Sequence, residues 1–269
     1  MTCTIFRLYL ARMRLLEVRL IAAVLVAATV SPWGIPHAHA GPFAIQPTRL
    51  ELDAARPSGA LVIRNEHDAA LSFQIKGVRW SQDETGQEHY ADTTDLVYFP
   101  RLLTVLPGQS AVIRVGLRRP PGPLEKTYRI FIEELAPAAK STAPHQAGAR
   151  IQVLMRFGAP VFVRANKSEQ QLAVEAFRLA EGQARWVVRN AGTGHEMFQS
   201  ITLRALDASG AEVFKHESDD RYLLAGGTRR FDVSVPREAC KQTARLALKI
   251  KTQHTEVLHD LEAGATPCH

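Results

Sequence analysis

The chain has 269 residues, of which 46% are hydrophobic and 22% are charged, and its formal net charge is +6 at pH 7. Residues 1–40 hold four arginines and one glutamate, so half of that charge belongs to them and +3 remains on the other 229 residues. A charge this mild argues against a nucleic-acid-binding protein, but it leaves open a basic cleft for an anionic partner. A length of 229 residues fits two domains.

Residues 1–40 have the pattern of a secretory signal peptide. Basic positions precede the apolar stretch 20–30, and the small-residue sequence Ala38-His39-Ala40 follows it. The apolar stretch is too short to span a bilayer, and the small residues fit the cleavage site of a signal peptidase. We therefore expect cleavage after Ala40 and export of the remaining chain, whether translation starts at Met1 or at Met13.

The remaining sequence predicts an all-β fold. Short runs rich in β-branched and aromatic residues recur, turn-forming residues separate them, and long stretches of helical periodicity are missing. The predicted strands are 61–64, 71–80, 111–117, 128–135, 151–157, 186–189, 200–206, 230–235 and 244–249.

An internal repeat indicates two copies of one sandwich design. Val62-Ile63-Arg64-Asn65 is echoed by Val187-Val188-Arg189-Asn190, and each is followed by a polar turn and another apolar strand. Each copy would have a little over about 100 residues, which is the size of an immunoglobulin-like domain. The polar segment 164–170 lacks periodicity and marks the boundary. We therefore predict domains at 41–164 and 165–269.

The predicted strand 151–157 is amphipathic. Ile151, Val153, Met155 and Phe157 lie on one side of an extended chain, because strand side chains alternate with period two. The preceding segment 136–150 is rich in alanine, proline and polar residues, and we expect it to be mobile. A strand that follows such a segment could complete another protein's unfinished sandwich as easily as its own.

Two cysteines remain after the leader is removed, Cys240 and Cys268. A single pair in an oxidising compartment most simply forms one disulfide. A metal site is the weaker alternative, because two cysteines supply too few ligands.

The sequence lacks the usual signatures of an enzyme. It contains no Gly-x-Ser-x-Gly, no His-Glu-x-x-His and no phosphate-binding glycine loop. The isolated histidines His195 and His216 favour a structural or solvated role over metal binding. We therefore predict no catalytic residue, no cofactor and no metal.

Five segments occur in the order and spacing of one known family. They are 43–50, 71–80, 99–115, 128–135 and 151–157, and they resemble in turn the first strand, the third strand, the central block, the sixth strand and the seventh strand of that family. The family is that of the PapD-like periplasmic chaperones, which assemble pili in the chaperone–usher pathway. The sequence Pro160-Val161-Phe162-Val163 is similar to the archaic-type branch.

The resemblance implies two immunoglobulin-like β-sandwich domains in an L-shaped arrangement, with a cleft that receives the C-terminal carboxylate of a pilus subunit. Arg49 corresponds to the family's basic first-strand residue, and its fork suits a carboxylate. The family's second anchor, usually a lysine, corresponds to Pro160, which carries no charge. Arg156 and Arg164 are candidates for the missing cation. Glu125 and Arg164 match two of the family's interdomain charges and are expected to be structural.

The function that the resemblance implies is that of a periplasmic chaperone for pilus or fimbrial subunits. Ile151, Val153, Met155 and Phe157 would fill the groove of a subunit that lacks its last strand, which is donor-strand complementation. An outer-membrane usher would then receive the complex. Whether the free form self-associates to hide these side chains stays open.

Two other functions fit the sequence less well. A secreted structural or adhesive subunit should begin with a free donor segment and lack its last strand, whereas this chain has a short start and a seventh strand. A carbohydrate-binding module would normally expose aromatic platforms, but Trp80 and Trp186 lie within predicted strands. Both therefore rank below the chaperone.

Overall fold

Strands dominate the part of the chain that the computed structural model describes, which is residues 43–136, 153–218, 220–264 and 268. These residues form eighteen strands and one short helix. No helix among them is long and apolar enough to cross a membrane. The predicted signal peptide and all but the first residue of segment 136–150 lie outside the described residues.

The first sandwich consists of two sheets. Its strands are β1 (Phe43–Gln46), β2 (Leu50–Leu52), β3 (Ser58–Asn65), β4 (Leu71–Gln82), β5 (Glu88–Asp92), β6 (Leu96–Phe99), β7 (Leu102–Val105), β8 (Ser110–Leu117), β9 (Lys126–Leu135) and β10 (Arg156–Val163). One sheet has the order β1-β3-β8-β6, and the other has the order β2-β10-β9-β4-β5, with β7 also paired to β4. Strands β2 and β10 pair in parallel, and the other pairs are antiparallel.

Alternation along β10 separates the core from the opposite face of its sheet. Ala159, Val161 and Val163 are buried in the core of the first sandwich. Pro160 and Phe162 lie between them in sequence and therefore point to the other side of the sheet. The face that carries Pro160 and Phe162 is called the outward face below.

The second sandwich also has two sheets. Its strands are β11 (Leu172–Ala180), β12 (Gln183–Asn190), β13 (Glu196–Leu206), β14 (Glu212–Ser218), β15 (Tyr222–Leu223), β16 (Thr228–Ser234), β17 (Arg245–Thr252) and β18 (Glu256–Glu262). The sheet orders are β11-β12-β16 and β14-β13-β17-β18, with β15 paired to β13. The predicted all-β class with two β-sandwiches is therefore confirmed.

The helix α1 (Arg237–Gln242) carries one end of a disulfide. Cys240 is buried in the second core, and its sulfur lies 2.04 Å from that of Cys268. The two cysteines are 28 residues apart in sequence. Closing a loop of that length stabilises a fold by roughly 3–4 kcal/mol in the chain-entropy view.

The internal repeat corresponds to two matching buried asparagines. Asn65 ends β3 and Asn190 ends β12, and both are fully buried. Each side-chain amide donates at 2.8 Å to the backbone carbonyl four residues later. Each also donates to a distant carbonyl, that of Val105 at 2.8 Å or that of Leu223 at 3.1 Å. In both sandwiches the asparagine thus connects the end of its strand to the following turn and to a distant strand.

The strand predicted at 151–157 starts later in the structure. Ile151 lies outside the described residues, and residues 153–155 belong to no strand. The reason is the length of the neighbouring strand: Arg156 pairs with Glu133, and β9 ends only two residues beyond that point. The other predicted strands coincide with observed ones, with bounds that shift by a few residues.

Candidate functional site

The candidate site lies on the outward face of the sheet formed by β10, β9, β4 and β5. The pairing register sets Pro160 of β10 opposite Arg129 of β9. It also sets Val78 of β4 opposite Arg129, and Trp80 two residues later lies on the same face. Cross-strand neighbours on one face contact each other. The sheet therefore presents a row of basic and aromatic side chains.

An aromatic cluster joins the two sandwiches beside this row. Trp80 and Phe162 come from the first sandwich, and Tyr222 and Leu224 come from the second. The ring of Phe162 is fully buried, and its centroid lies 6.0 Å from that of Trp80 and 5.5 Å from that of Tyr222. It also stacks on His195 at 3.6 Å, with 13° between the planes. Phe162 therefore contacts two aromatic rings of the second sandwich.

Glu125 and His195 form a buried polar contact next to the aromatic cluster. The His195 backbone N–H donates to the Glu125 carboxylate at 3.0 Å, and the ring Nδ1 lies 2.8 Å from the same oxygen. The Glu125 side chain is 3% exposed. Glu125 thus connects the two sandwiches through His195, a histidine that looks isolated in the sequence.

Arg164, the other expected interdomain charge, does not pair with Glu125. Its guanidinium lies 3.2 Å from the carboxylate of Glu51. The reason is topological, because Arg164 follows β10 directly and the parallel neighbour of β10 is β2, which carries Glu51. The two predicted charges therefore have different partners in the structure.

A cavity of about 520 Å³ opens beside the aromatic cluster. Both sandwiches line it. Among the described residues, its charged lining consists of Arg49, Arg129, Arg221, Arg229, Glu88 and Asp220. Four cations against two carboxylates leave an excess of positive charge, which favours an anionic group. The described residues contain no group of three or more His, Cys, Asp or Glu that could hold a metal.

Arg49 lies at the edge of this cavity, directly before β2. Its guanidinium is 3.3 Å from the Glu51 carboxylate and 3.9 Å from the sulfur of Met197 in the second sandwich. Its side chain is one-third exposed. Because Glu51 faces both Arg49 and Arg164, one carboxylate neutralises two guanidinium groups incompletely. Arg49 therefore lines the cavity with a charge that Glu51 balances only in part.

Arg129 lines the same cavity and was missed by the sequence analysis. One Nη donates to the Gly158 carbonyl at 3.1 Å, and the other donates to the carboxylate of Glu88. The guanidinium carbon lies 4.2 Å from the ring centroid of Trp80, which is a favourable cation–π contact. The Nε has no acceptor among the described residues. The one signal in the sequence was a cation within the otherwise apolar stretch 128–132.

Glu88 also accepts a hydrogen bond from the hydroxyl of Tyr90. Partial burial and this hydrogen bond raise the pKa of Tyr90 to about 12. The hydroxyl is therefore protonated at neutral pH and donates to Glu88. Glu88 thus holds two donors, Tyr90 and Arg129, at the mouth of the cavity.

The two sequence candidates for a second cation lie elsewhere. Arg156 pairs with Glu133 at 2.7 Å, and its guanidinium carbon is 3.7 Å from the ring centroid of Phe131. Arg164 pairs with Glu51, as described above. Neither is among the described residues that line the cavity.

The predicted donor residues differ in exposure. Val153 is 77% exposed and Met155 is 41% exposed, whereas Phe157 packs against the core of its own sandwich. Leu154, which alternates with them, is 46% exposed. The Glu134 backbone N–H donates to the Met155 carbonyl at 2.9 Å, so the segment continues the line of β10. Residues 153–155 therefore present apolar side chains to solvent just before a strand.

The comparisons place the first sandwich in a known family. Residues 42–168 match the family described as pili and flagellar-assembly chaperone, PapD N-terminal domain. No curated protein matches the chain at the sequence level.

Several solved structures share the fold. The class 5 fimbriae chaperone CfaA is 16% identical, with 81% of this chain and 97% of that chain covered and a TM-score of 0.53. The CsuC–CsuE chaperone–tip adhesion subunit pre-assembly complex from the archaic Csu pili of Acinetobacter baumannii is 17% identical, with 82% and 98% covered and a TM-score of 0.54. A chaperone–tip adhesin complex of CFA/I fimbriae is 15% identical, with 83% and 100% covered and a TM-score of 0.54.

At such low identity, the solved structures show the fold alone. The family match is more specific, because it covers the whole first sandwich, including Arg49, Arg129 and β10. Residues 42–168, which include the first sandwich, therefore belong to the family of the PapD N-terminal domain of pili and flagellar-assembly chaperones, and the two-sandwich chain shares the fold of solved fimbrial chaperones.

Proposed function

We propose that the protein is a periplasmic chaperone that binds a pilus or fimbrial subunit by donor-strand complementation and delivers it to an outer-membrane usher. The observation that carries the proposal is the exposed apolar segment 153–155, which continues into β10 beside a cavity with an excess of arginines. A sandwich that lacks its last strand has an open hydrophobic groove and unpaired backbone groups. The segment offers such a groove both a backbone ladder and apolar side chains.

The exposed donor side chains set the scale of the interaction. Val153 and Met155 are the described donor residues with apolar surface still available, since Phe157 already packs in its own sandwich. Fully burying one such side chain from full exposure contributes roughly 1.5–3 kcal/mol, so these two partly exposed side chains together give at most about 3–6 kcal/mol before association costs. Ile151 would add to this sum. A gain of that size suits a complex that a later subunit must replace.

Arg49 would set the register of the added strand. Slipping a strand by one residue turns every side chain to the opposite face, so complementation requires a fixed point along the strand. A guanidinium that holds the C-terminal carboxylate of the subunit through paired, charge-assisted hydrogen bonds provides that point. Its partial pairing with Glu51 orients it without fully neutralising it.

The cellular setting and the chain organisation complete the proposal. Cleavage after Ala40 would export the chain to the periplasm, where the disulfide between Cys240 and Cys268 is stable. Domains at 41–164 and 165–269 would then act as one chaperone, without catalysis and without a cofactor. The partners are pilus subunits and the usher, and no nucleic acid is involved.

A matched pair of substitutions tests the donor strand. Val153→Asp places a charge on the donor side, and Leu154→Asp places the same charge on the alternate side of the segment. Both residues are exposed, so both variants should unfold at the temperature of the parent chain. We expect Val153→Asp to abolish co-purification of a co-exported pilus subunit from the periplasm, and Leu154→Asp to retain it. Recovery of the complex with Val153→Asp would refute the proposed mechanism.

Arg49→Ala tests the anchor separately. The Arg49 side chain is partly exposed, and Glu51 also pairs with Arg164. Removing the Arg49 side chain should therefore leave the free chaperone folded. We expect the soluble complex to be lost, since the subunit then binds without a fixed register. A complex that forms in undiminished yield would remove Arg49 from the site.

A further inference from the structure

We propose that Arg129 is the second cation that binds the C-terminal carboxylate of the subunit. In the free chaperone Glu88 pairs with Arg129, and the carboxylate of the bound subunit displaces Glu88. This inference rests on the proposed function, because it assumes that a subunit's C-terminal carboxylate enters the cavity. Pro160 has no charge at the position of the family's second cation, and the inference assigns that cation to Arg129 on the neighbouring strand β9.

The register of three neighbouring strands carries the assignment. Pro160 pairs with Arg129 of β9 on one side. On the other side, Val161 pairs with Leu50 of β2, so the residue before Leu50, which is Arg49, flanks Pro160. Strands in a sheet lie about 4.8 Å apart, so the backbones of Arg49 and Arg129 are about 10 Å apart across β10. Both guanidinium groups line the same cavity over Pro160.

Proline suits the middle of this arrangement. It carries no charge and no N–H, and it adds little height above the sheet. A carboxylate that rests over Pro160 therefore lies between two arginine forks. A lysine on β10 would supply one point charge, whereas two arginines supply directed pairs of donors.

The bonding state of Arg129 leaves capacity for a ligand. A guanidinium has five N–H donors. In Arg129, one of them reaches Gly158, one reaches Glu88, and the Nε finds no acceptor among the described residues. Contact with Trp80 keeps the group in place over the sheet. A buried donor without an acceptor is costly, so a second acceptor at this position is favourable.

Three of the other cations near the cavity are less suitable. Arg156 is held by Glu133 and Phe131 away from the cavity, and Arg164 is held by Glu51. Arg229 lines the cavity, but it is 5% exposed and forms an ion pair with Asp220, whose carboxylate lies 2.6 Å from its Nε and accepts a hydrogen bond from one Nη at 3.1 Å. These contacts commit Arg229 to its own carboxylate.

Glu88 is the carboxylate that pairs with Arg129 in the free chain. It lies on β5, the edge strand of the sheet, and its side chain is 35% exposed. It can therefore turn to water when another carboxylate arrives, so that Arg129 exchanges one carboxylate for another. Glu88 would then weaken subunit binding, and its neutralisation would strengthen it.

The test uses a peptide with the C-terminal sequence of a pilus subunit from the same cell. The peptide is synthesised once with a free C-terminal carboxylate and once with a C-terminal amide, and binding to the chaperone is measured by titration calorimetry. The parent chain should prefer the carboxylate. Arg129→Gln should weaken carboxylate binding about tenfold or more and leave amide binding unchanged, because a hydrogen bond to a charged group is lost.

Two further variants complete the test. Glu88→Gln should tighten carboxylate binding severalfold with no change for the amide. Arg156→Gln is the matched control, since it also removes a cation that stacks on an aromatic ring and pairs with a glutamate, and it should behave like the parent chain. Thermal unfolding of each variant reports whether it is folded.

The outcomes separate this inference from the proposed function. If Arg129→Gln, or Glu88→Gln where Arg129→Gln fails to fold, binds both peptides as the parent chain does, the assignment of Arg129 is wrong while the chaperone proposal stands. If the parent chain binds the two peptides equally, no carboxylate is recognised and the assignment is also wrong. If the parent chain binds neither peptide, the proposed function itself fails.

Discussion

Replacing Phe162 with alanine tests whether the aromatic cluster couples the two sandwiches. The side chain is fully buried between Trp80 and Tyr222 and is stacked on His195. Removing a buried phenylalanine side chain costs about 3–5 kcal/mol of unfolding free energy, because both transfer and cavity effects contribute. Its inward-facing neighbour Val161 is unchanged, so the loss should fall on the contact between the sandwiches and not on the first core.

The two sandwiches carry separate fluorescent reporters. Trp80 belongs to the first, Trp186 is buried in the core of the second, and residues 41–269 contain no other tryptophan. Urea unfolding of the parent chain should show one cooperative transition. Phe162→Ala should show two, because each sandwich then unfolds without support from the other.

Phe162→Leu is the control for this prediction. Leucine keeps most of the apolar volume, so its loss should be smaller and the single transition should persist. The reasoning is refuted if Phe162→Ala unfolds in one transition and loses less than about 1 kcal/mol of unfolding free energy, because removing a fully buried phenylalanine side chain from the contact between the sandwiches should cost more.

Two further predictions concern the strands around the cavity. Gly86→Ala should destabilise the chain by about 1–3 kcal/mol more than Gly210→Ala in urea unfolding, because both glycines have positive φ, at 91° and 86°, but only at Gly86 would a Cβ overlap the Arg229 guanidinium. Equal losses would contradict this. The pKa of the Tyr90 hydroxyl is raised from its ordinary value of 10.0 to about 12. The hydroxyl therefore keeps its proton and its hydrogen bond to Glu88 up to a pH of 10.0, and it loses both as the pH rises through about 12. Glu88→Gln should lower that pKa, and a tyrosine titration by NMR that shows no decrease would contradict it.

Much of the fold could be predicted from alternation of apolar residues. Strands such as β4 and β9 pack one side into a core, so their buried positions recur with period two and are visible in the sequence. Strand β5 was missed, because all five of its residues are exposed and an edge strand needs no apolar side. The start of β10 was misplaced, because it depends on where β9 ends.

The lining of the cavity was predicted in part, whereas the roles of its residues stay predictions. Arg49 was identified from the family-like first strand and does line the cavity. Arg156 and Arg164 were considered because they are near Pro160 in sequence, yet the structure gives each of them another carboxylate. Arg129 lies 31 positions before Pro160, and only the pairing of β9 with β10 brings the two together.

The sequence by itself determined what depends on local periodicity and residue type: the all-β class, the paired asparagines of the repeat, the apolar segment before β10 and the family resemblance of the first sandwich. The tertiary structure decided what depends on register and on contact between the sandwiches, namely the arginines that share one cavity, the partner of Glu125 and the burial of Phe162. The physical reason is that a strand's own pattern shows which side of it is buried, whereas its neighbours are chosen by backbone pairing between segments distant in the chain.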